Sequence, residues 1–353
     1  MRSWGLAAGA LLLLGVGACA SSYQYREAGY DGGIRPGMAL QRLQFDPALE
    51  EKILALDPEH ITEGDVRELL ARGPTPRVIN VHGGIPLVYL AMESFGEFLV
   101  GMGYPEGKVR SPRDGSYSYS PYKSSAEMAG IVAWYYEREG MRVNLVGHSL
   151  GGIQVVKVLD ELAGAFNDRV AVWNPLTEEQ EERTTIVDPL TGAERPVVGL
   201  QVGYASAVGA GGWARFLPNA WITLGKLRTI PDTVEEFTGF FLGLDLIGGD
   251  FLGLATSLNT YEPNGKAKVR NVKLPAGYRH VTLPATAHLA QDRAIRDWIN
   301  AYRPSDEPEL TVAFEAPTDN ILWAADVWYS LKKHWCLEAQ RLIRARRQLA
   351  KAP

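Results

Sequence analysis

Apolar positions along this chain fall into short blocks, and their spacing switches between two periods. Val78-Ile79-Asn80-Val81 is a short apolar run that ends in His82-Gly83-Gly84, which predicts a buried strand feeding a glycine loop. Ser124-Ser125-Ala126-Glu127 places Ser three residues before Glu, the pattern of a capping box. Behind it Met128, Ile131, Val132 and Tyr135 fall at i, i+3, i+4, i+7, one face of a helix, and Gly140 predicts its end. Val143-Asn144-Leu145-Val146 predicts a second buried strand. It runs directly into Gly147-His148-Ser149-Leu150-Gly151-Gly152, and Ile153 to Leu162 reads as helix. The order strand, helix, strand, sharp turn, helix predicts an α/β fold, a mostly parallel sheet flanked by helices.

The same reading extends outward. Pro47 to Ala71 is a charged, helical lead-in, and the core begins at Arg77. Residues 174–196 are an insertion containing Glu178, Glu179, Glu181 and Glu182, read as a solvated acidic face. Val197 to Val202 is a strand candidate, Phe237 to Leu244 a further apolar run, and His280 to Leu283 the last strand candidate. Ile295, Trp298, Ile299 and Tyr302 again have helical spacing, and Pro304 stops that helix. From Leu331 to Pro353 seven basic residues stand against one acid, Glu338. This tail reads as a solvated C-terminal helix, with contact to anionic lipid as the alternative.

Composition narrows the class. Among 353 residues, 46% are hydrophobic and 22% charged, which excludes a disordered chain and a multi-span membrane protein. A formal net charge of −5 gives no support to nucleic-acid binding. Two cysteines exclude a disulfide scaffold. Met1 to Trp4 carries one positive charge, Gly5 to Gly17 is apolar but too short to span a bilayer, and Ala18-Cys19 follows. Val16-Gly17-Ala18-Cys19 resembles a bacterial lipobox, which implies an acylated Cys19. The alternative is an ordinary secretory signal in which Cys19 is incidental. Ala20, where that family uses aspartate for inner-membrane retention, implies the outer membrane. Cys336 is then a lone thiol, read as a small buried hydrophobe.

Gly147-x-Ser149-x-Gly151, between a predicted strand and a predicted helix, carries the chemistry. A serine hydroxyl needs a neighbouring base to act as nucleophile. It must also stand clear of the backbone, which a tight strand-to-helix turn achieves at the cost of crowding that glycines two before and two after relieve. The following helix points amide groups toward a forming oxyanion.

At this motif the sequence resembles the α/β-hydrolase superfamily, and within it bacterial lipases and esterases bearing Gly-His-Ser-Leu-Gly-Gly, over roughly residues 75–303. The resemblance implies an α/β-hydrolase fold with an apolar cap or lid, here about 204–240, rich in Trp213, Phe216, Leu217, Trp221, Ile222, Phe237, Phe240 and Phe241. These residues are alternatively core of a larger domain. Gly209-Ala210-Gly211-Gly212 reads as lid flexibility. The implied organisation is a signal peptide over 1–18, a lipidated tether over 19–45, a hydrolase domain over 46–303 and a basic helical extension over 304–353. The family runs Ser, acid, His along the chain. Of the histidines after Ser149, His334 lies in the basic tail and His280 opens a predicted strand. His288 lies in a loop past one, where a base belongs. The acid is Asp245, which directly follows Phe237–Leu244, or Asp250, if that strand runs on through Ile247. His82-Gly83-Gly84 resembles the family's oxyanion loop, with Gly84 (alternatively Ile85) and Leu150 as amide donors. A plain glycine turn is the other reading of this loop.

These features imply a serine hydrolase cleaving carboxylic esters, lipid or lipophilic, through an acyl-enzyme on Ser149. An acyltransferase with the same acyl-enzyme and a catalytically silent envelope lipoprotein are the alternatives. There is no H-E-x-x-H, C-x-x-C or P-loop, so no metal or organic cofactor is implied. The expected setting is the bacterial cell envelope, lipid-anchored at the outer membrane and facing the periplasm, with an ester substrate, membrane contact through the N-terminal lipid and no nucleic acid.

Overall fold

The structure is a computed structural model that describes residues 46–210, 226–242 and 260–349. Strands β1 (Val78–Val81), β2 (Asn144–His148), β3 (Val202–Val208), β4 (Val234–Leu242) and β5 (Lys268–Leu274) lie side by side in chain order, each neighbouring pair parallel. Parallel neighbours need long crossovers, and helices supply those from β1 to β2 and from β2 to β3. Helix α1 (Pro47–Leu54) precedes the sheet, α2 (Pro86–Gly101) and α3 (Ser125–Glu139) connect β1 to β2, and α4 (Leu150–Leu162) follows β2. Helices α5 (Arg293–Ala301) and α6 (Ile321–Leu349) come after the last strand. The fold is α/β, a mostly parallel sheet flanked by helices, as the alternation implies.

Both faces of the sheet are covered, so its strands are apolar on both sides. Val78, Val146, Tyr204, Val208 and Phe240 share one core with α2, α5 and α6. Ile79, Leu145, Ala205, Ala207 and Phe237 share the other with α3 and α4. The predicted cap on α3 is present: the Glu127 amide donates to Ser124 Oγ (3.1 Å), and Gly140 closes the helix in a left-handed conformation (φ 68°).

Five expectations change. Both ends of the 204–240 stretch are sheet, not cap: Tyr204 to Val208 lies in β3, and Phe237 and Phe240 are core residues of β4. A central parallel strand needs apolar residues on both faces, which gives it the apolar density of a lid. Trp213, Phe216, Leu217, Trp221 and Ile222 lie outside the described residues. The strand expected at Val197–Val202 begins only at Val202, because Gly199 turns the chain at φ 92° and the Leu200 amide donates back to the Val197 carbonyl (3.1 Å). His280–Leu283 is a turn. The last strand is β5, whose Lys268, Arg270 and Lys273 disguise it, as charge on an edge strand does.

The largest change is at the C terminus. Helix α6 is a core element and no solvated or lipid-facing extension: Trp323, Trp328 and Trp335 are fully buried, and so is Cys336. Its cations are satisfied within the protein. Lys333 pairs with Glu59 and Glu236 (2.8 Å each), Arg347 with Glu50 (2.9 Å), and Arg341 with Glu338. Among the described residues no helix is long and apolar enough to cross a membrane. The acidic insertion is also less solvated than expected. Glu179 and Glu182 are exposed, but Glu181 pairs with Arg183 (2.7 Å) and Glu178 with Lys123 (3.1 Å) and Arg113.

Candidate active site

The register brings the strand ends into line. Val81 lies opposite Gly147, His148 opposite Val208, and Val208 opposite Phe240. His82-Gly83-Gly84, Ser149 and Gly209 therefore leave the sheet along one edge, the carboxyl edge at which open α/β sheets bind ligands.

Ser149 sits at this edge between β2 and α4, half-buried, with φ 54° and ψ −120°. A non-glycine residue held there carries strain of about 1–3 kcal/mol. The surroundings fix it: the Ser149 amide donates to the Val208 carbonyl (2.8 Å), and the Gly152 amide donates to the Ser149 carbonyl (3.0 Å). A Cβ on Gly151 would lie 2.1 Å from the Val81 carbonyl oxygen, so α4 can start here only with no side chain at that position. The His82–Gly84 loop also packs against this turn. A Cβ on Gly83 would lie 3.1 Å from Ser149 Cβ, and one on Gly84 would lie 3.2 Å from Leu150 Cδ2. Gly84 and Leu150, the expected oxyanion donors, are thus neighbours beside Ser149. Tyr122 holds the loop by donating its hydroxyl to the Gly84 carbonyl (2.7 Å).

The segment that carries the histidines passes under this edge. His148 is buried and its Nε2–H donates to the His280 carbonyl (2.8 Å), the two rings 4.9 Å apart. His280 therefore serves the elbow through its backbone. His288 occupies the short turn Ala287–Ala290, half-buried, and Nε2 of its ring is buried with no hydrogen-bond partner among the described residues. The turn is tied to α2, the helix that opens behind the glycine loop, by the Ala287 amide donating to Ser94 Oγ (3.0 Å). Asp245 and Asp250 lie outside the described residues, as do Cys19 and the tether.

Sequence reasoning missed the wall on the other side of the loop. Tyr119 runs alongside β1: its amide donates to the Asn80 carbonyl (2.8 Å), and the His82 amide donates to the Tyr119 carbonyl (3.2 Å). The alternation Ser116-Tyr117-Ser118-Tyr119-Ser120 was the available signal. Behind this segment is a cavity of about 240 Å³ whose lining includes His82, Tyr89, Ser111, Ser118, Lys123 and Glu178. The His82 Nδ1–H donates to the Gly83 carbonyl (2.6 Å), and burial pushes the imidazole's pKa below its usual value. On the outer side of the loop Ile85, Leu87 and Leu90 are 48%, 65% and 62% exposed, an apolar rim on α2 and its entry. Among the described residues no cluster of three His, Cys, Asp or Glu side chains is placed to hold a metal ion.

The chain matches no family model and no curated protein.

Proposed function

We propose that the protein is a serine hydrolase of the α/β-hydrolase type that cleaves lipid or lipophilic carboxylic esters. The observation that carries this reading is Ser149 itself, a strained non-glycine residue (φ 54°, ψ −120°) lifted from the carboxyl edge of a parallel sheet. The loop of Gly83 and Gly84 is packed against it. No structural role requires a serine there, whereas a nucleophile does.

In this reading Ser149 Oγ adds to the ester carbonyl while His288 Nε2 takes its proton. The carbonyl oxygen, now negative, accepts hydrogen bonds from the Gly84 and Leu150 amides, each such donor being worth about 2.7–4 kcal/mol in the transition state. The intermediate collapses, the C–O bond to the alcohol breaks, and His288 returns the proton to the departing oxygen. Water repeats the sequence on the acyl-Ser149 ester and releases the acid. The imidazole needs a carboxylate to hold its tautomer and steady its positive form. Asp245 follows Leu242, the end of β4, by three positions, and Asp250 by eight. His288 Nε2, which has no hydrogen-bond partner among the described residues, suits a base that waits for substrate, and the apolar rim at Leu87 and Leu90 suits a lipophilic ester. Acylation of Cys19 and attachment to the outer membrane belong to the same proposal and would bring the site to such substrates.

Ser149→Ala is expected to abolish hydrolysis of p-nitrophenyl esters with the thermal melt unchanged, and a fluorophosphonate probe is expected to label Ser149 in the parent chain. Turnover retained by the variant would end the assignment.

A further inference from the structure

The cavity behind the glycine loop is not explained by ester chemistry alone. Its size, about 240 Å³, is below the range of about 300–1,000 Å³ typical of pockets that hold a whole drug-sized ligand. It suits one part of a substrate. Its wall combines hydroxyls with apolar groups such as Ile131 and Pro175, and one hydroxyl stands out. Ser118 is 5% exposed, and its Oγ has no hydrogen-bond partner among the described residues. A buried hydroxyl left unpaired is costly, and a ligand oxygen in the cavity would satisfy it. A second polar group on the wall is His82. Because its Nδ1–H is committed to the Gly83 carbonyl, a neutral ring leaves Nε2 as an acceptor.

The charges at the cavity are already matched. Glu178 reaches across from the turn after Trp173–Asn174 to Lys123 (3.1 Å) and Arg113, while Lys123 also meets Glu127. Asp114 accepts from the Ser116 hydroxyl (2.7 Å). An anionic ligand would have to separate Lys123 or Arg113 from these partners. A neutral ligand that offers hydroxyls would not. Glu178 is itself held in a left-handed conformation (φ 57°), so the clasp is a fixed feature of the wall.

The cavity reaches the start of the glycine loop that packs against Ser149. His82 lines it, and the next residue, Gly83, is the one packed against Ser149. Resting on the ester-hydrolase reading above, we infer that this cavity binds the alcohol part of the substrate, and that this part is a neutral polyol of the size of glycerol or a single sugar ring. The substrate class is then an acyl ester of a polyol, with Ser118 and His82 as groups that choose the alcohol.

The test uses two esters of one acid, 1-monobutyrylglycerol and ethyl butyrate, on the full chain. The parent is expected to favour the glycerol ester in kcat/KM by about tenfold or more. Ser118→Val is expected to lower that ratio about tenfold, and Ser118→Thr, which keeps a hydroxyl, to restore most of it. In the Ser149→Ala chain, calorimetric titration with 1-monobutyrylglycerol is expected to show saturable binding that Ser118→Val weakens. If both esters are hydrolysed with a ratio near one that Ser118→Val does not move, the cavity assignment falls and the hydrolase reading stands. If neither ester is hydrolysed but the Ser149→Ala chain binds the glycerol ester through Ser118, the hydrolase reading falls and the polyol site stands. Tighter binding of 1-butyrylglycerol 3-phosphate than of the uncharged ester would overturn the neutrality of the site, and no binding of either would overturn the site.

Discussion

The edge of the sheet around Ser149 and the layer formed by α6 are held together in different ways. At the edge, His82–Gly84 and Gly147–Gly152 meet through backbone and Cα atoms, and the tolerance is set by the absence of side chains: 2.1 Å from a Cβ on Gly151 to the Val81 oxygen. In the α6 layer, large side chains and ion pairs join residues hundreds of positions apart. Lys332 Nζ donates to the Ile61 carbonyl (2.9 Å) and Gln340 Nε2 to the Ile53 carbonyl (3.0 Å), across 271 and 287 positions. The first region concentrates backbone strain, at Ser149. The second concentrates burial. The comparison teaches that burial here is concentrated away from the edge around Ser149, in a helix far from it in sequence.

The sharpest way to break this comparison is to weaken α6. Trp328 is fully buried, and its Nε1–H donates to Asn300 Oδ1 (2.8 Å). Trp328→Ala is expected to cost about 3–5 kcal/mol in urea unfolding, since it removes a large buried ring and its hydrogen bond to Asn300. A loss below 1 kcal/mol would show that α6 is an appendage after all.

Acid should attack the same layer. Burial raises the Glu236 carboxyl, but His334 (3.5 Å) and Lys333 (2.8 Å) outweigh it and hold its pKa down to about 2, against 4.5 for the free group. A carboxylate depressed in the folded state stabilises fully above its unfolded pKa and loses that contribution as pH falls through the folded one. The window is therefore pH 4.5 down to about 2. Roughly 3 kcal/mol is at stake at one pKa unit per 1.36 kcal/mol. Glu236→Gln is expected to flatten the fall in melting temperature across that window. An unchanged acid limb would place the titrating group elsewhere.

These two regions also differ in how legibly the sequence announces them. The elbow could be read because its parts are consecutive: a strand period, Gly147-x-Ser149-x-Gly151 and a helix period occur within twenty residues. The glycine loop, the α3 cap and the carboxyl-edge position of Ser149 follow from local rules of the same kind. The α6 layer could not be read so. Its basic residues look like a solvated face until Glu50, Glu59 and Glu236 are brought to them from far along the chain. Edge strand β5 was hidden by its lysines and arginine, and Phe237 and Phe240 passed for a lid because a central strand is as apolar as one. The polar cavity was hidden for a related reason. Ser116 to Ser120 alternates like a strand, but what it encloses depends on Glu178, some sixty positions later.

At the edge itself the expected effects are smaller in energy and larger in activity. Gly151→Ala drives a methyl into the Val81 and His82 carbonyls, which would sit 2.1 and 2.5 Å away. Backbone displacement of this kind costs about 1–3 kcal/mol. Because α4 and the loop move with it, ester hydrolysis should fall well before the fold does. Measuring both on one sample separates the effects: equal losses would mean that the edge is as important to stability as the α6 layer, against the comparison drawn here.

The smallest effect has the opposite sign. Ser149 is held at φ 54°, ψ −120°, and a glycine would adopt that conformation freely. Relief of about 1–3 kcal/mol is set against the 0.5–1 kcal/mol by which glycine's freedom favours the unfolded chain, leaving a gain of about 1 kcal/mol. Ser149→Ala keeps its Cβ and therefore keeps the strain. The informative comparison is thus between two inactive variants, because both lack the hydroxyl and only one loses the constraint. Ser149→Gly should melt higher than Ser149→Ala by about 1–2 °C. Equal melting temperatures would mean that the elbow stores no strain, and the strongest structural reason for placing a nucleophile at residue 149 would be gone.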